Sequence, residues 1–240
     1  MLSNNPEYQQ NVMTNLIKVK NNDLLPIQHR EFLNKLKINY NFIPKVCYDI
    51  GAAVLHWTRH AESTWPDTKI YLFDAYSPVE TIYNDYEYTI SVLSDVDNKI
   101  VKFYQNDFLF GGNSYYREIG FNNSEFFPEN NYIEKSTRTL DSIVKEKNYI
   151  LPDLIKIDVQ GAELDVLKGA TETIKHAKFL LIELQDVHYN KDAPLAHITI
   201  DYLKSLGWVC IAEKFSDNGP DADYCFINTN INYFLTNEIT

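Results

Sequence analysis

The chain has 240 residues, 45% of them hydrophobic, with 22 basic and 33 acidic side chains and a net charge of -11. That length holds one sizeable α/β domain and falls short of two full ones. The acidic balance, with no run of Lys and Arg, argues against a nucleic-acid backbone as the main partner, and no stretch approaches the roughly 20 apolar residues that cross a bilayer.

Met1 to Pro6 carries neither a basic flank nor an apolar core, so no secretory leader is expected. Residues 1 to about 25 are polar, with a sparse apolar stripe at Val12, Leu16 and Val19. Pro26 stands where a helix can start, and Ile27, Phe32, Leu33 and Leu36 recur at helical spacing. Residues 1–43 therefore read as an N-terminal helical extension that packs on the domain or contacts a partner. Pro44 ends it, and residues 44–240 form the main domain.

Val46 to Ile50 is a short β-favouring run that carries Asp49 and meets Gly51, the form of a first parallel strand and a tight strand-to-helix turn. Glycine there allows close backbone approach to a ligand. Val54–Thr64 reads as the first helix, Lys69–Phe73 as the second strand ending at Asp74, and Tyr88–Leu93 as the third, ending at Ser94 and Asp95. Asp97-Asn98-Lys99 reads as a turn that joins it to an alternating strand, Ile100–Tyr104, as a hairpin. Residues 106–136 have no sustained period. They are read as a lid or acceptor wall, with Tyr115, Tyr116, Phe121, Phe126 and Phe127 offering faces to a sugar ring. Thr139 caps a helix through Glu146. The fourth strand, Leu154–Ile157, ends at Asp158 and leads into a short helix, Gly161–Lys168. The fifth strand is Phe179–Glu183. A helix over Ile198–Leu206 is closed by Gly207. Two last strands, Trp208–Lys214 and Asp223–Asn228, flank the turn Ser216–Pro220, which implies an antiparallel closing strand. Cys47, Cys210 and Cys225 show no paired spacing and read as reduced thiols of a cytoplasmic protein.

Three acids at strand ends, Asp49, Asp74 and Asp158, converge on the crevice where open α/β sheets bind ligands. The first turn has only Gly51, with Ala53 and Leu55 where a dinucleotide site needs further glycines, so a pyrophosphate cradle and a nicotinamide oxidoreductase are disfavoured. A phosphate-free ligand with a ribose and a cation fits better. Asp74 offers two acceptor oxygens to a ribose diol. Asp49 can order an ammonium, and Ser94 and Asp95 can accept from an adenine amine. S-adenosylmethionine has those groups. Methyl transfer to a hydroxyl needs a base near the proton, and Asp158, Glu163 and His188 are the candidates. Lys156 points away from Ile155 and Ile157 and is expected to pair a buried acid. No metal is expected. His56 and His60 lie one helical turn apart outside any metal motif, and a magnesium set of Asp49, Asp158 and Glu183 is the lesser alternative.

Several blocks resemble the FkbM family of S-adenosylmethionine-dependent methyltransferases: Tyr48-Asp49-Ile50-Gly51-Ala52, Tyr71-Leu72-Phe73-Asp74, Ser91-Val92-Leu93-Ser94-Asp95, Gly112-Asn113-Ser114, and Thr139-Leu140-Asp141 leading into Lys156-Ile157-Asp158-Val159-Gln160-Gly161-Ala162-Glu163. The resemblance runs from about residue 45 to 228. It implies a Rossmann-like class I methyltransferase fold, α/β, with a seven-stranded mostly parallel sheet holding one antiparallel strand. It also implies O-methyl transfer to a sugar, glycan or related polyol, with no membrane span and with homo-oligomers left open. By position Asp49, Gly51, Ala53, Asp74, Ser94 and Asp95 inherit cofactor binding, and Asp158 the edge of the active site. Ala53 replaces the family's Asn, Leu55 its Gly and Gln160 its Glu. Those departures leave a second reading, a catalytically silent binding module on the same fold.

Overall fold

The computed structural model describes residues 5–22, 24–120, 125–217 and 219–231. The elements in chain order are α1 (Pro6–Asn21), α2 (Ile27–Asn39), β1 (Val46–Ile50), α3 (His56–Thr64), β2 (Lys69–Asp74), β3 (Glu87–Ile90), β4 (Val92–Leu93), β5 (Ile100–Phe103), β6 (Ile133–Arg138), α4 (Leu140–Lys147), β7 (Leu154–Ile157), α5 (Glu163–Lys168), β8 (Phe179–Gln185), α6 (Ala196–Ser205), β9 (Trp208–Asp217) and β10 (Asp221–Asn228).

The central strands are apolar almost throughout because both faces of their sheet are covered. Side chains alternate across a strand. Tyr48, Tyr71, Phe73, Ile155 and Ile157 therefore pack under α4, α5 and α6, while Cys47, Ile70, Leu72 and Leu154 join α1, α2 and α3 in a second core. The sheet order is β3-β2-β1-β7-β8-β10-β9. All neighbours run parallel except β10, which lies antiparallel to both β8 and β9. This is the mostly parallel seven-stranded sheet with one reversed strand that the sequence implied.

The N-terminal helices are built into this fold. Asn5 caps α1 by accepting from the backbone N–H of Glu7 at 2.9 Å, and Val12 and Leu16 are wholly buried. In α2, Phe32 stacks on Phe215 of β9 with ring centres 4.2 Å apart. His29 meets Asp223 of β10 at 2.9 Å. The α3 histidines face these helices: His56 lies 2.9 Å from the Val19 carbonyl, and His60 accepts from Arg30 at 3.2 Å. On the opposite flank α1 grips the loop after β5. Tyr8 donates to the Asp107 carboxylate at 2.7 Å, and Asn15 donates to the Phe108 carbonyl at 3.3 Å.

The expected hairpin between Tyr88–Leu93 and Ile100–Tyr104 does not form. The chain leaves the main sheet at Ser91, and β6 lies between β4 and β5, parallel to the first and antiparallel to the second. Buried Thr137 explains this. Its hydroxyl donates to the Val96 carbonyl at 2.6 Å, and its backbone bonds both Asn98 and Lys99. Residues 96–99 thus wrap around Thr137 instead of joining two strands. The first helix also begins two residues later than expected. Ala53 and Leu55 hold φ of 41° and 69°, so the turn runs on to His56.

Candidate functional site

A cavity of about 280 Å³ opens where β1, β2 and β7 end. The first turn gives it Gly51 and Ala53, β2 gives Phe73 and Asp74, and the turn after β7 gives Asp158 and Gln160. Its other wall comes from Ser91–Leu93, Phe103 and the loop Phe110–Tyr115.

Gly51 has φ of +80°, and a Cβ there would stand 1.7 Å from the Asp158 carbonyl oxygen. The close approach that this glycine permits is thus the packing of one strand-end turn on another. Leu55 lies 2% exposed in the second core and does not line the cavity, so its bulk does not narrow the site. Asp74 lines the cavity while closing two turns. Its Oδ2 accepts from the Ala53 N–H at 2.8 Å and its Oδ1 from the Tyr76 N–H at 2.8 Å. Burial raises its pKa against the pull of those bonds. Each oxygen retains a second lone pair for a ligand hydroxyl.

Asp158 is the second carboxylate on the wall. Lys156 donates to its Oδ2 at 3.0 Å and Gln160 to its Oδ1 at 3.0 Å. Burial disfavours its charge, but the Lys156 ammonium and the bonds from Lys156, Glu183 and Gln160 prevail and hold it below the usual carboxylate range. Glu183 is pushed well up, by burial and then by Asp158, Asp221 and Asp223. The Gln160 amide also donates to it at 2.8 Å. Burial works against the Lys156 charge, yet Asp158 and Asp49 keep it above the ordinary lysine range.

The remaining sequence candidates lie behind or away from the cavity. Asp49 is wholly buried and does not line it. The Thr58 hydroxyl donates to Asp49 at 2.5 Å, and Lys156 stands 3.8 Å from its other oxygen. A cationic side chain therefore sits where a magnesium set of Asp49, Asp158 and Glu183 would need its ion, and among the described residues no trio of His, Cys, Asp or Glu is arranged for a metal. Glu163 accepts from the N–H groups of Val159 and Gly161 at 3.0 and 3.1 Å, which shapes the turn after β7. Burial raises its carboxyl to about 7. Ser94 is buried and reaches the cavity only through Tyr115, whose hydroxyl lies 3.3 Å away. Asp95 is exposed. His188 is exposed as well, because Gln185 and Asn190 bond side chain to side chain at 2.7 Å and turn the loop between them outward.

Within 106–136 the structure puts Phe110 and Tyr115 on the cavity wall. Phe110 lies parallel to Tyr76. The Tyr115 and Tyr116 hydroxyls both donate to Asp165 at 2.9 Å. Phe126 and Phe127 face a neighbouring cleft with Leu109, Gly112 and Glu118. Phe121 lies outside the described residues.

Sequence reasoning missed Ser91, Phe103 and the side chain of Asn113, known beforehand only as part of a matching block. It also missed Lys135 of β6, which donates to the Ala75 carbonyl at 2.6 Å. Burial lowers that lysine to about 8. The set suits a ligand with a diol, an aromatic ring and a charged arm. Asp74 offers carboxylate oxygens on the wall, Phe73, Phe103, Val92 and Leu93 supply apolar surface, and the buried Asn113 amide nitrogen has no partner among the described residues.

The Methyltransferase FkbM domain matches residues 29–210. Over 100 residues the chain is 35% identical to the 2-O-methyltransferase NoeI of Sinorhizobium fredii (strain NBRC 101917 / NGR234), a stretch covering 41% of this chain and only 39% of that enzyme. Among solved structures, methyltransferase FkbM from Methylobacillus flagellatus KT overlays with a TM-score of 0.47 at 13% identity, covering 81% of this chain and 47% of that one. The O-methyltransferase TomG from Streptomyces achromogenes, solved with SAM, overlays with a TM-score of 0.47 at 8% identity, covering 94% and 90%. The chain belongs to the FkbM family of methyltransferases.

Proposed function

We propose that this protein transfers a methyl group to a hydroxyl of a sugar, glycan or related polyol, with Asp158 as the base. The observation that carries this reading is a carboxylate on the cavity wall whose two oxygens are fixed by Lys156 and Gln160. The 2-O-methyltransferase activity named for NoeI and the aromatic wall of Phe110 and Tyr115 support a hydroxylated ring as acceptor.

S-adenosylmethionine, when bound, would supply an electrophilic methyl whose bond to the positively charged sulfur breaks, the electron pair leaving with S-adenosylhomocysteine. Asp158 takes the hydroxyl proton as the new O–C bond forms. Lys156 and Gln160 hold the carboxylate still, so that proximity does not have to be regained at each turnover. Glu163 acts through the backbone, since it fixes the N–H groups of Val159 and Gly161 that shape the turn carrying Asp158. Asp74 holds the ribose diol. Phe110 and Tyr115 serve as the acceptor wall.

The test is incubation with a methyl-labelled donor and a panel of monosaccharides, oligosaccharides and polyols, read by mass spectrometry of the products. Label on a hydroxyl of at least one of them is expected. If the protein binds S-adenosylhomocysteine but labels none, the silent binding module takes the place of this reading.

A further inference from the structure

Asn113 lies on the cavity wall with its two ends in opposite situations. Its Oδ1 accepts from the Asn106 N–H at 2.7 Å. Its Nδ2 is buried without a partner among the described residues. The orientation of the amide is not arbitrary: reversing it would set the NH2 group against a backbone N–H. The loop cannot swing to relieve the orphaned donor either. The Asn106 side chain accepts from the N–H groups of Phe108 and Leu109 at 2.9 and 3.0 Å. On the other side, Ser114 and Tyr104 exchange backbone bonds of 3.2 and 2.8 Å. A buried donor held away from any acceptor is costly, and a ligand oxygen would remove that cost.

Three other side-chain donors on the wall are engaged. The Ser114 hydroxyl donates to the Val159 carbonyl, the Tyr115 hydroxyl to Asp165, and the Gln160 amide to Asp158 and Glu183. The two charged side chains on the wall, Asp74 and Asp158, are both acids and repel an anion. The methyl donor nevertheless carries one anion, the carboxylate of its aminoacyl arm. We infer that the Asn113 amide is the group that receives this carboxylate. The inference rests on placing the methyl donor in this cavity.

Calorimetry with two ligands tests it: S-adenosylhomocysteine, which has the aminoacyl arm, and 5′-methylthioadenosine, which lacks it. Asn113→Asp keeps an oxygen for the Asn106 N–H, so the loop stays closed, while the donor is lost. At pH 8 this variant should bind S-adenosylhomocysteine at least about tenfold more weakly, bind 5′-methylthioadenosine within about threefold of the parent, and melt with the parent. Asn113→Ala, which also gives up the loop bond, should show the same ligand discrimination with a lower Tm. Unchanged binding of S-adenosylhomocysteine by Asn113→Asp overturns the inference, and so does an equal loss for both ligands, which would assign the amide to the nucleoside or to the loop. If the parent protein binds neither ligand, the placement of the methyl donor itself fails, a result distinct from the other two.

Discussion

Replacing Asp74 by Ala removes two backbone bonds and a long one from the Tyr83 hydroxyl at 3.5 Å, together with the acceptors offered to a ligand. In the free protein its oxygens close the turns at Ala53 and Tyr76, each through an N–H 2.8 Å away. The Ala53 N–H lies on the cavity wall, where water can replace the lost acceptor, and about 1 kcal/mol for each bond is the expected cost. For a domain of this length about 2 kcal/mol corresponds to a fall in Tm of roughly 4–8 °C. The ribose diol would lose two charge-assisted bonds worth about 1.5–3 kcal/mol each. Affinity for S-adenosylhomocysteine should therefore fall on the order of a hundredfold or more. Asp74→Asn keeps one acceptor and separates the two effects, with most of the affinity lost and less of the Tm. Exposed Asp85 is the control, and its Ala variant should match the parent in both measurements. Calorimetry and a thermal melt suffice. An affinity within about threefold of the parent, with the Tm lowered, would mean that Asp74 only closes turns and that the ligand lies elsewhere.

Asp158→Asn should lower kcat by about 10²–10⁴-fold while S-adenosylhomocysteine binding stays within about threefold; a loss below tenfold would remove Asp158 as the base. Glu163 carries a pH signature. Its folded pKa of about 7 exceeds the ordinary 4.5, so between those values the folded chain keeps a proton that the unfolded chain has released. Stability is fully present below about pH 4.5 and falls, by about 3 kcal/mol, as pH rises to about 7. Glu163→Gln can still accept from Val159 and Gly161 and should lack that decline, whereas parallel melting curves for the two proteins across that window would refute the assignment. Gly51→Ala would force a Cβ against the Asp158 carbonyl at a positive φ. It should cost about 3 kcal/mol or more, and a Tm within 2 °C of the parent would contradict the geometry.

The sheet was legible because its strands are apolar runs closed by turn residues, and Lys156 was legible because a lone lysine among isoleucines has to meet an acid. Strand β6 was not. Ile133 to Arg138 reads Ile-Glu-Lys-Ser-Thr-Arg, with Thr137 its one buried residue, so no apolar period announces it. The acids were found as strand ends, but sequence position does not say which way a side chain leaves. Asp49 turns toward Thr58 on α3, while Asp158 turns into the cavity. His188 follows β8 closely enough to suggest the crevice, and only the bond between Gln185 and Asn190 shows the loop leaving it. The far wall was least legible, since Phe103 to Tyr115 is placed by contacts with Tyr76, Asp165 and α1, which are distant in sequence.

The seating of α2 has a consequence for how the chain reaches this state. The partners of Phe32 and His29 are Phe215 and Asp223, near the opposite end of the sequence. During synthesis the first helices emerge before β9 and β10, and the part of the α2 face that those strands cover stays open until they follow. Pairing over such a separation carries a large loop-closure entropy, which slows folding and prolongs the exposure of hydrophobic surface. The same early helices grip the loop that walls the cavity, through Tyr8 and Asn15. The seating of α2 is therefore a late event in folding, completed only when β9 and β10 have formed.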